Sequence, residues 1–379
     1  MEQKCIMIIA GEASGDLHGS KLVDAMLKKE PDLFFCGIGG QALNNAGAKI
    51  YVDSSSLSVV GITEVFSKIP NIFKGVAVAK RLLKSLKPDL LILIDFPDFN
   101  LHIAAFAKKI GIPVLYYISP QIWAWRSRRI NKIKKLVDHM AVIFPFEEDY
   151  YKKYDIPVTY VGHPLLDSKL SPANKISGQT SKSNNVIGLL PGSRKSEIVK
   201  HLPVMLDAAG ILIKRIQNIK FIISVAPALD KKLLEKSVLN HKDADSFELS
   251  EESVENIFKR CKIVISASGT VTLEAAISGM PMVIIYKISP VSYWIGKALV
   301  HVNNISLVNL IAGKEIIPEL IQGEASPLNI ADVVYEMIRS PASLKKLRNE
   351  LSLIRKLLGV PGASDRVADL AIGMMQKRV

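Results

Sequence analysis

The sequence predicts an α/β protein made of two Rossmann-like halves, each built on a parallel sheet. Three observations carry that expectation. Short runs rich in Ile, Val and Leu alternate with amphipathic helical stretches almost throughout. A polar stretch, Ser171–Asn185, divides the alternation into two series. Conspicuous loops, several of them glycine-bearing, follow the ends of the apolar runs, where open parallel sheets bind their ligands.

In the first series Cys5–Ala10, Leu90–Ile94, Val114–Ile118 and Met140–Phe144 read as buried strands. Asp16–Lys29 and Asn71–Leu86 read as helices, the latter closed by Lys87-Pro88. In the second, Val186–Leu190, Phe221–Val225, Ile263–Ser266 and Met282–Tyr286 are expected strands, with helices over Glu197–Ile216 and Thr270–Ser278. From Glu315 onward the pattern reads as helical only, ending in Ala363–Lys377. The expected domains are residues 1–170, joined by a returning tail at 355–379, and residues 171–354.

The composition suits this plan. A chain of 379 residues that is 49% apolar, with both signs of charge, can bury two cores. Cys5, Cys36 and Cys261 lack metal-ligand spacing and read as reduced thiols of a cytoplasmic protein. The apolar run near the start is too short for a signal peptide, and no uninterrupted apolar stretch reaches the about 18 residues of a membrane span. The formal charge is +13, with basic residues clustered at Lys80, Arg81, Lys84 and Lys87 and again at Arg126, Arg128, Arg129, Lys132, Lys134 and Lys135. Neither cluster accompanies a nucleic-acid-reading element, so nucleic acid is not an expected partner. Anionic lipid, a phosphorylated substrate and an idle solvated face all stay open.

Five loops hold candidate chemistry. Gly11–Asp16 (GEASGD) follows the first strand, and its glycines permit close backbone approach. Asp16 reads either as a ligand contact or as a cap. Asp95–Asn100 (DFPDFN) offers two carboxylates at a strand end. Asp98, farther from the buried strand, is the preferred base for a hydroxyl nucleophile, with helix capping as the alternative. Ser119–Ile130 carries Trp123, Trp125 and Arg126, a surface able to stack on a sugar unless the core takes one ring. Leu189–Glu197 brings Gly192, Ser193 and Arg194 to a helix start, an anion-binding turn with a planar donor fork suited to diphosphate. Ser268, Gly269 and Thr270 open another helix, with Glu274 one turn inside it, placed either for ribose hydroxyls or for solvent. The division of labour puts a nucleotide on the second half and an acceptor with its base on the first.

Together GEASGD, PDFN, PQIWAWR, FPFE (Phe144–Glu147), GHPL (Gly162–Leu165), LPGSR and SGTVTLE stand in the order and spacing that resemble the lipid-A-disaccharide synthase family, from residue 5 to about residue 322. The resemblance implies a GT-B fold, with parallel sheets facing across a cleft and the C-terminal helix crossing back to the first domain. It also implies an inverting transfer from UDP-2,3-diacylglucosamine to 2,3-diacylglucosamine 1-phosphate (lipid X), releasing UDP in lipopolysaccharide synthesis. Asp98 would be the general base and Arg194 the phosphate-binding arginine, with Ser14, Glu12, Asn309 and Glu274 as further site residues; Gly15, Asp16 and Asn100, in the loops read above, complete the expected acceptor or sugar site. Val308 stands where the family usually carries proline. The donor is a substrate, so no cofactor is expected, and no Asp-x-Asp pair or histidine cluster calls for a metal. A UDP-sugar 2-epimerase of the same fold is the competing reading.

Acylated substrates require a bilayer. Ile62, Val65, Phe66 and Ile69 share one helical face flanked by lysines, the expected contact with the anionic inner face of the inner membrane, against core packing as the alternative. A homodimer, swapped or not, is compatible with the sequence.

Overall fold

The fold was obtained as a computed structural model, which describes residues 3–57, 62–125, 129–167, 185–226, 229–288 and 304–376. Of residues 62–69 and 124–125 it describes the backbone alone. The chain divides into two compact units, Met1–Asp167 with Leu358–Val379, and Ser168–Leu357. The polar stretch read as a linker lies outside the described residues except for Asn185.

Unit 1 runs β1 (Cys5–Ala10), α1 (Ala13–Lys29), β2 (Phe34–Gly39), α2 (Gln41–Asn45), β3 (Lys49–Asp53), α3 (Ile62–Leu86), β4 (Leu90–Ile94) and α4 (Pro97–Lys109). It continues through β5 (Val114–Tyr117), α5 (Ile122–Trp125), α6 (Ile130–Leu136), β6 (His139–Val142), α7 (Pro145–Lys152) and β7 (Val158–Tyr160). Its seven strands are all parallel, in the order β3-β2-β1-β4-β5-β6-β7. β4 is buried along its whole length, and β1 from Ile6 onward, as continuous apolar runs between two helical layers require.

Unit 2 repeats the plan with β8 (Asn185–Leu190), α8 (Lys195–Arg215), β9 (Ile219–Ser224), α9 (Lys231–Leu239), β10 (Phe247–Ser250), α10 (Val254–Arg260) and β11 (Ile263–Ala267). It ends with α11 (Thr270–Ile277), β12 (Met282–Tyr286), α12 (Leu307–Ala312), β13 (Glu319–Ile321), α13 (Pro327–Arg339) and α14 (Pro341–Leu357). The parallel order β10-β9-β8-β11-β12-β13 is that of a dinucleotide-type sheet. The expectation of helix alone after Glu315 is corrected here. Glu319–Ile321 forms an edge strand on β12, too short and too exposed to register as an apolar run.

The tail, α15 (Ala363–Gln376), belongs to unit 1 and packs on α1. Asp167 holds it there: its carboxylate accepts from the amides of Gly362 (2.6 Å), Ala363 (3.3 Å) and Ser364 (3.4 Å), the otherwise orphaned donors at the helix start. Arg366 adds bonds to the carbonyls of Val161, Val360 and Pro361. Asp167→Ala is expected to destabilise unit 1 by about 1–2 kcal/mol, the usual worth of a cap, and Asp167→Asn by less. Denaturant unfolding of both variants checks this, and equal losses would refute the charge-assisted cap.

Candidate active site

In each sheet the crossovers leave in opposite directions from one pair of neighbouring strands, β1 and β4 in unit 1 and β8 and β11 in unit 2. Such a switch point opens a crevice beyond the strand ends. The loops singled out in the sequence fall there: Gly11–Asp16 beside Asp95–Asn100, and Gly192–Arg194 beside Ser268–Thr270.

At the unit 1 crevice the chain leaves β4 through two consecutive left-handed residues, Asp95 and Phe96, each at φ 48°. Non-glycine residues in that region cost about 1–3 kcal/mol each and need support. Asn100 supplies it, its wholly buried amide donating to the carbonyls of Ile94 (3.2 Å) and Asp95 (2.6 Å), while the Tyr116 hydroxyl donates to Asp95 O at 2.6 Å. Asn100, expected as a sugar contact, shapes the turn through its Nδ2 group. The Phe96 ring covers Gly11, where a Cβ would lie 2.2 Å from Phe96 Cγ, so only glycine fits. The turn presents Asp98 in the first turn of α4, with its side chain 77% exposed and ion-paired to Arg129. Asp95, before it, is half-buried. Burial and then the charge of nearby Glu12 push its carboxyl up to about 6.

The other unit 1 candidates separate into exposed and structural residues. Glu12 and Ser14 are exposed at the start of α1, and Gly15 lies buried against Ile94. Asp16 is a correction: its carboxylate is buried and accepts from the amides of Gly40 (2.6 Å), Ala42 (2.9 Å) and Leu43 (3.3 Å), capping α2 rather than facing a ligand. Trp123 is likewise engaged. Its indole donates to the fully buried Glu147 at 3.2 Å and its ring meets Phe146 edge-on at 4.9 Å, so it does not form a free stacking surface. The Trp125 side chain and Arg126 lie outside the described residues, as do the side chains of Ile62, Val65, Phe66 and Ile69.

In unit 2 a cavity of about 680 Å³ is lined by Gly192, Ser193, Arg194, Glu197, Ser268, Gly269, Thr270 and Glu274, among others. In the turn before α8, read from the sequence as a diphosphate-binding turn, the amides are taken by an internal carboxylate. Glu197 Oε2 accepts from the amides of Ser193 (2.9 Å) and Arg194 (3.2 Å). Gly192 sits at φ 123°, and a Cβ there would lie 2.4 Å from that oxygen. Arg194 is exposed, 3.4 Å from Glu197 Oε1. His201, overlooked in the sequence because its partners are backbone atoms, pins this loop. Lys287 N donates to its Nε2 (3.0 Å), so Nδ1 carries the hydrogen that reaches Pro191 O (3.0 Å). Glu274 is largely buried, and desolvation raises its carboxyl above the usual range.

Asn309 is a further correction. It is fully buried, and its amide makes four bonds: Nδ2 to Ile317 O and Glu319 Oε1, and Oδ1 from the amides of Ile316 and Ile317. That exhausts an asparagine side chain and leaves nothing for a substrate.

The family is decided by sequence. A family model described as lipid-A-disaccharide synthetase matches residues 6–360. The chain belongs to the lipid-A-disaccharide synthase family. The lipid-A-disaccharide synthase of Syntrophus aciditrophicus is 45% identical, with 100% of this chain and 99% of that protein covered. Those of Geobacter metallireducens (44%; 99% and 98%) and Coxiella burnetii strain Dugway 5J108-111 (38%; 97% and 98%) are also similar. Among solved structures, a UDP-N-acetylglucosamine 2-epimerase, described as putative, from Listeria monocytogenes superposes with a TM-score of 0.65 at 13% identity, over 100% of this chain and 98% of that one. A kitacinnamycin glycotransferase does so with 0.65 at 14%, over 99% and 100%. Epimerase and transferase thus share the fold, and family membership separates them.

Glu147, in the family motif FPFE, gives a pH prediction. Burial raises its carboxyl to about 7 against the bonds from Phe144, Trp123 and Ile143. An unfolded Glu ionises near 4.5, so between 4.5 and about 7 the folded state binds more protons and loses stability as pH rises. Glu147→Gln should remove that slope. Thermal melts from pH 4.5 to 8 check this, and parallel profiles for the two proteins would refute it.

Proposed function

We propose that unit 1 carries the acceptor and its base, and unit 2 the UDP-sugar, in the family's reaction. That reaction joins UDP-2,3-diacylglucosamine to 2,3-diacylglucosamine 1-phosphate, giving lipid A disaccharide 1-phosphate and UDP. The observation that carries the assignment is the placement of an exposed carboxylate at one switch point and helix amides with an arginine at the other. Asp98 takes the proton of the acceptor 6-hydroxyl. The oxygen attacks the anomeric carbon from the face opposite the diphosphate, the bond from that carbon to the diphosphate oxygen breaks, and UDP leaves with the electron pair, inverting the centre. Arg194 and the amides that open α8 and α11 take up the charge growing on UDP, with Glu197 giving way at the first of these. Glu274 is suited to the ribose hydroxyls.

Asp98→Asn is expected to lower turnover at least about 100-fold while UDP affinity holds. Arg194→Ala should weaken UDP itself about tenfold or more, as loss of a charged hydrogen bond does. Steady-state rates and calorimetric UDP titrations check the pair, and interchanged effects would overturn the assignment.

The acyl chains bring the protein to the cytoplasmic face of the inner membrane as a peripheral protein. Among the described residues no helix is long and apolar enough to cross a membrane. The proposed contact is the start of α3, with Ile62, Val65, Phe66 and Ile69. Phe73, 69% exposed beside Lys74 on the same helix, supports it. Replacing Val65, Phe66 and Ile69 by Ser should reduce co-sedimentation with anionic vesicles at unchanged melting temperature. Undiminished binding would move the contact elsewhere.

A further inference from the structure

Next to Asp98 lies a groove that none of the preceding roles uses. It is a cavity of about 230 Å³ between α4 and α6, lined by Asp98, Leu101, His102, Ala105, Arg129, Lys132 and Leu136. The α4 residues recur at intervals of three and four, so they share one helical face. The floor is apolar, with Leu101 buried and Leu136 half-buried, while the rim is cationic. Lys80 of α3 joins the rim, its Nζ 2.9 Å from His102 Nε2. An ammonium only donates, so Nε2 accepts and Nδ1 keeps its hydrogen as a further donor. Asp98, paired with Arg129, is the one carboxylate in the lining, and no ion pair among the described residues engages Lys80 or Lys132. Burial and then the charges of Lys80 and Lys132 push the His102 imidazole below its ordinary value.

We propose that this groove binds the phosphomonoester of the acceptor, held by Lys132, His102 and Lys80. The proposal rests on the reading of Asp98 as base and names where the rest of that substrate sits. Positions 98 and 102 are one helical turn apart, about 5–6 Å between Cβ atoms. The acceptor carries its reactive hydroxyl on C6 and its phosphate on C1, carbons that lead to opposite sides of the ring oxygen. One ring therefore spans from base to cations. The cavity is smaller than the about 300–1,000 Å³ of a whole-ligand site, and fits a phosphate with one edge of a sugar. The acyl chains are left outside it.

The test uses the full chain carrying His102→Ala with Lys132→Ala, both at exposed positions. Rates are measured in neutral detergent micelles with the UDP-sugar donor and either the phosphorylated acceptor or its dephosphorylated form. The wild type should prefer the phosphorylated acceptor. In the variant its KM should rise about 10- to 100-fold, the loss expected for bonds to a charged group, and the preference should collapse, with donor KM unmoved. Lys132→Arg should restore much of the preference. Inorganic phosphate, titrated calorimetrically, should bind the wild type and not the variant. A variant that keeps the full preference overturns the proposal. So does one that keeps its micellar KM but no longer sediments with phosphatidylglycerol vesicles, for then the groove holds lipid headgroups. If the wild type releases no UDP with either acceptor, the transferase reading falls instead, and the phosphate titration still decides the groove.

Discussion

The parallel pairing of β1 with β4, and of β8 with β11, is the constraint on which the chemistry of this chain depends. At those two seams neighbouring strands point the same way while their crossovers depart in opposite directions, so the loops beyond them diverge instead of packing. A hydrogen-bonded ladder cannot close that gap, and the helices that follow begin at its edge with free amides. Each unit thereby acquires a polar crevice on top of an apolar sheet. The strain in unit 1, two left-handed residues at Asp95 and Phe96, is tolerated because Asn100 and Tyr116 bond the carbonyls that the turn would otherwise leave bare. That turn in turn sends Asp98 outward and keeps Asp95 in.

Much of what is polar near these crevices serves the fold. Asp16 caps α2, Asp167 caps α15, Glu147 accepts from the amides at the start of α7, and Glu197 from those before α8. In each case a carboxyl group meets amides that a helix leaves unbonded, an arrangement that is charge-assisted wherever the group is ionised. Glu197 differs from the rest. Its turn is exposed and lines the unit 2 cavity, so its carboxylate stands where an incoming anion can compete for the same amides. Asp16 and Glu147 are buried and cannot be displaced in that way.

The sequence revealed those parts of the fold whose signal is local. The central strands, apolar on both faces, stand out as continuous runs, and Cys5–Ala10, Leu90–Ile94 and Met282–Tyr286 begin and end where their patterns do. Edge strands such as Lys49–Asp53 and Val158–Tyr160 are half-exposed and short, and β2 is interrupted by glycine, so none of them reads as an apolar run. The candidate loops are legible because they follow the central strands. What each loop residue does is not, because its partner is distant in the chain. Asp16 meets Gly40, Trp123 meets Glu147 and Asn309 meets Glu319, and a motif carries no sign that separates these from Asp98.

Charge is handled differently in the two units, in a way that fits the substrate proposed for each. Among the residues lining the unit 2 cavity are Glu197, Glu251, Glu252 and Glu274 with Arg194, a mostly acidic set for the nucleotide diphosphate proposed there. Helix amides supply the positive potential there without carrying net charge, and the carboxylates remain available for hydroxyl groups. Around Asp98 the positive groups are side chains, from Lys80 through His102 to Arg129 and Lys132. Long cationic side chains suit the acceptor proposed for this unit, an amphiphile rooted in a bilayer, because they attract it across a Debye length. A diphosphate that diffuses freely into a cavity needs short, fixed donors, whereas a phosphate presented from a membrane surface needs reach.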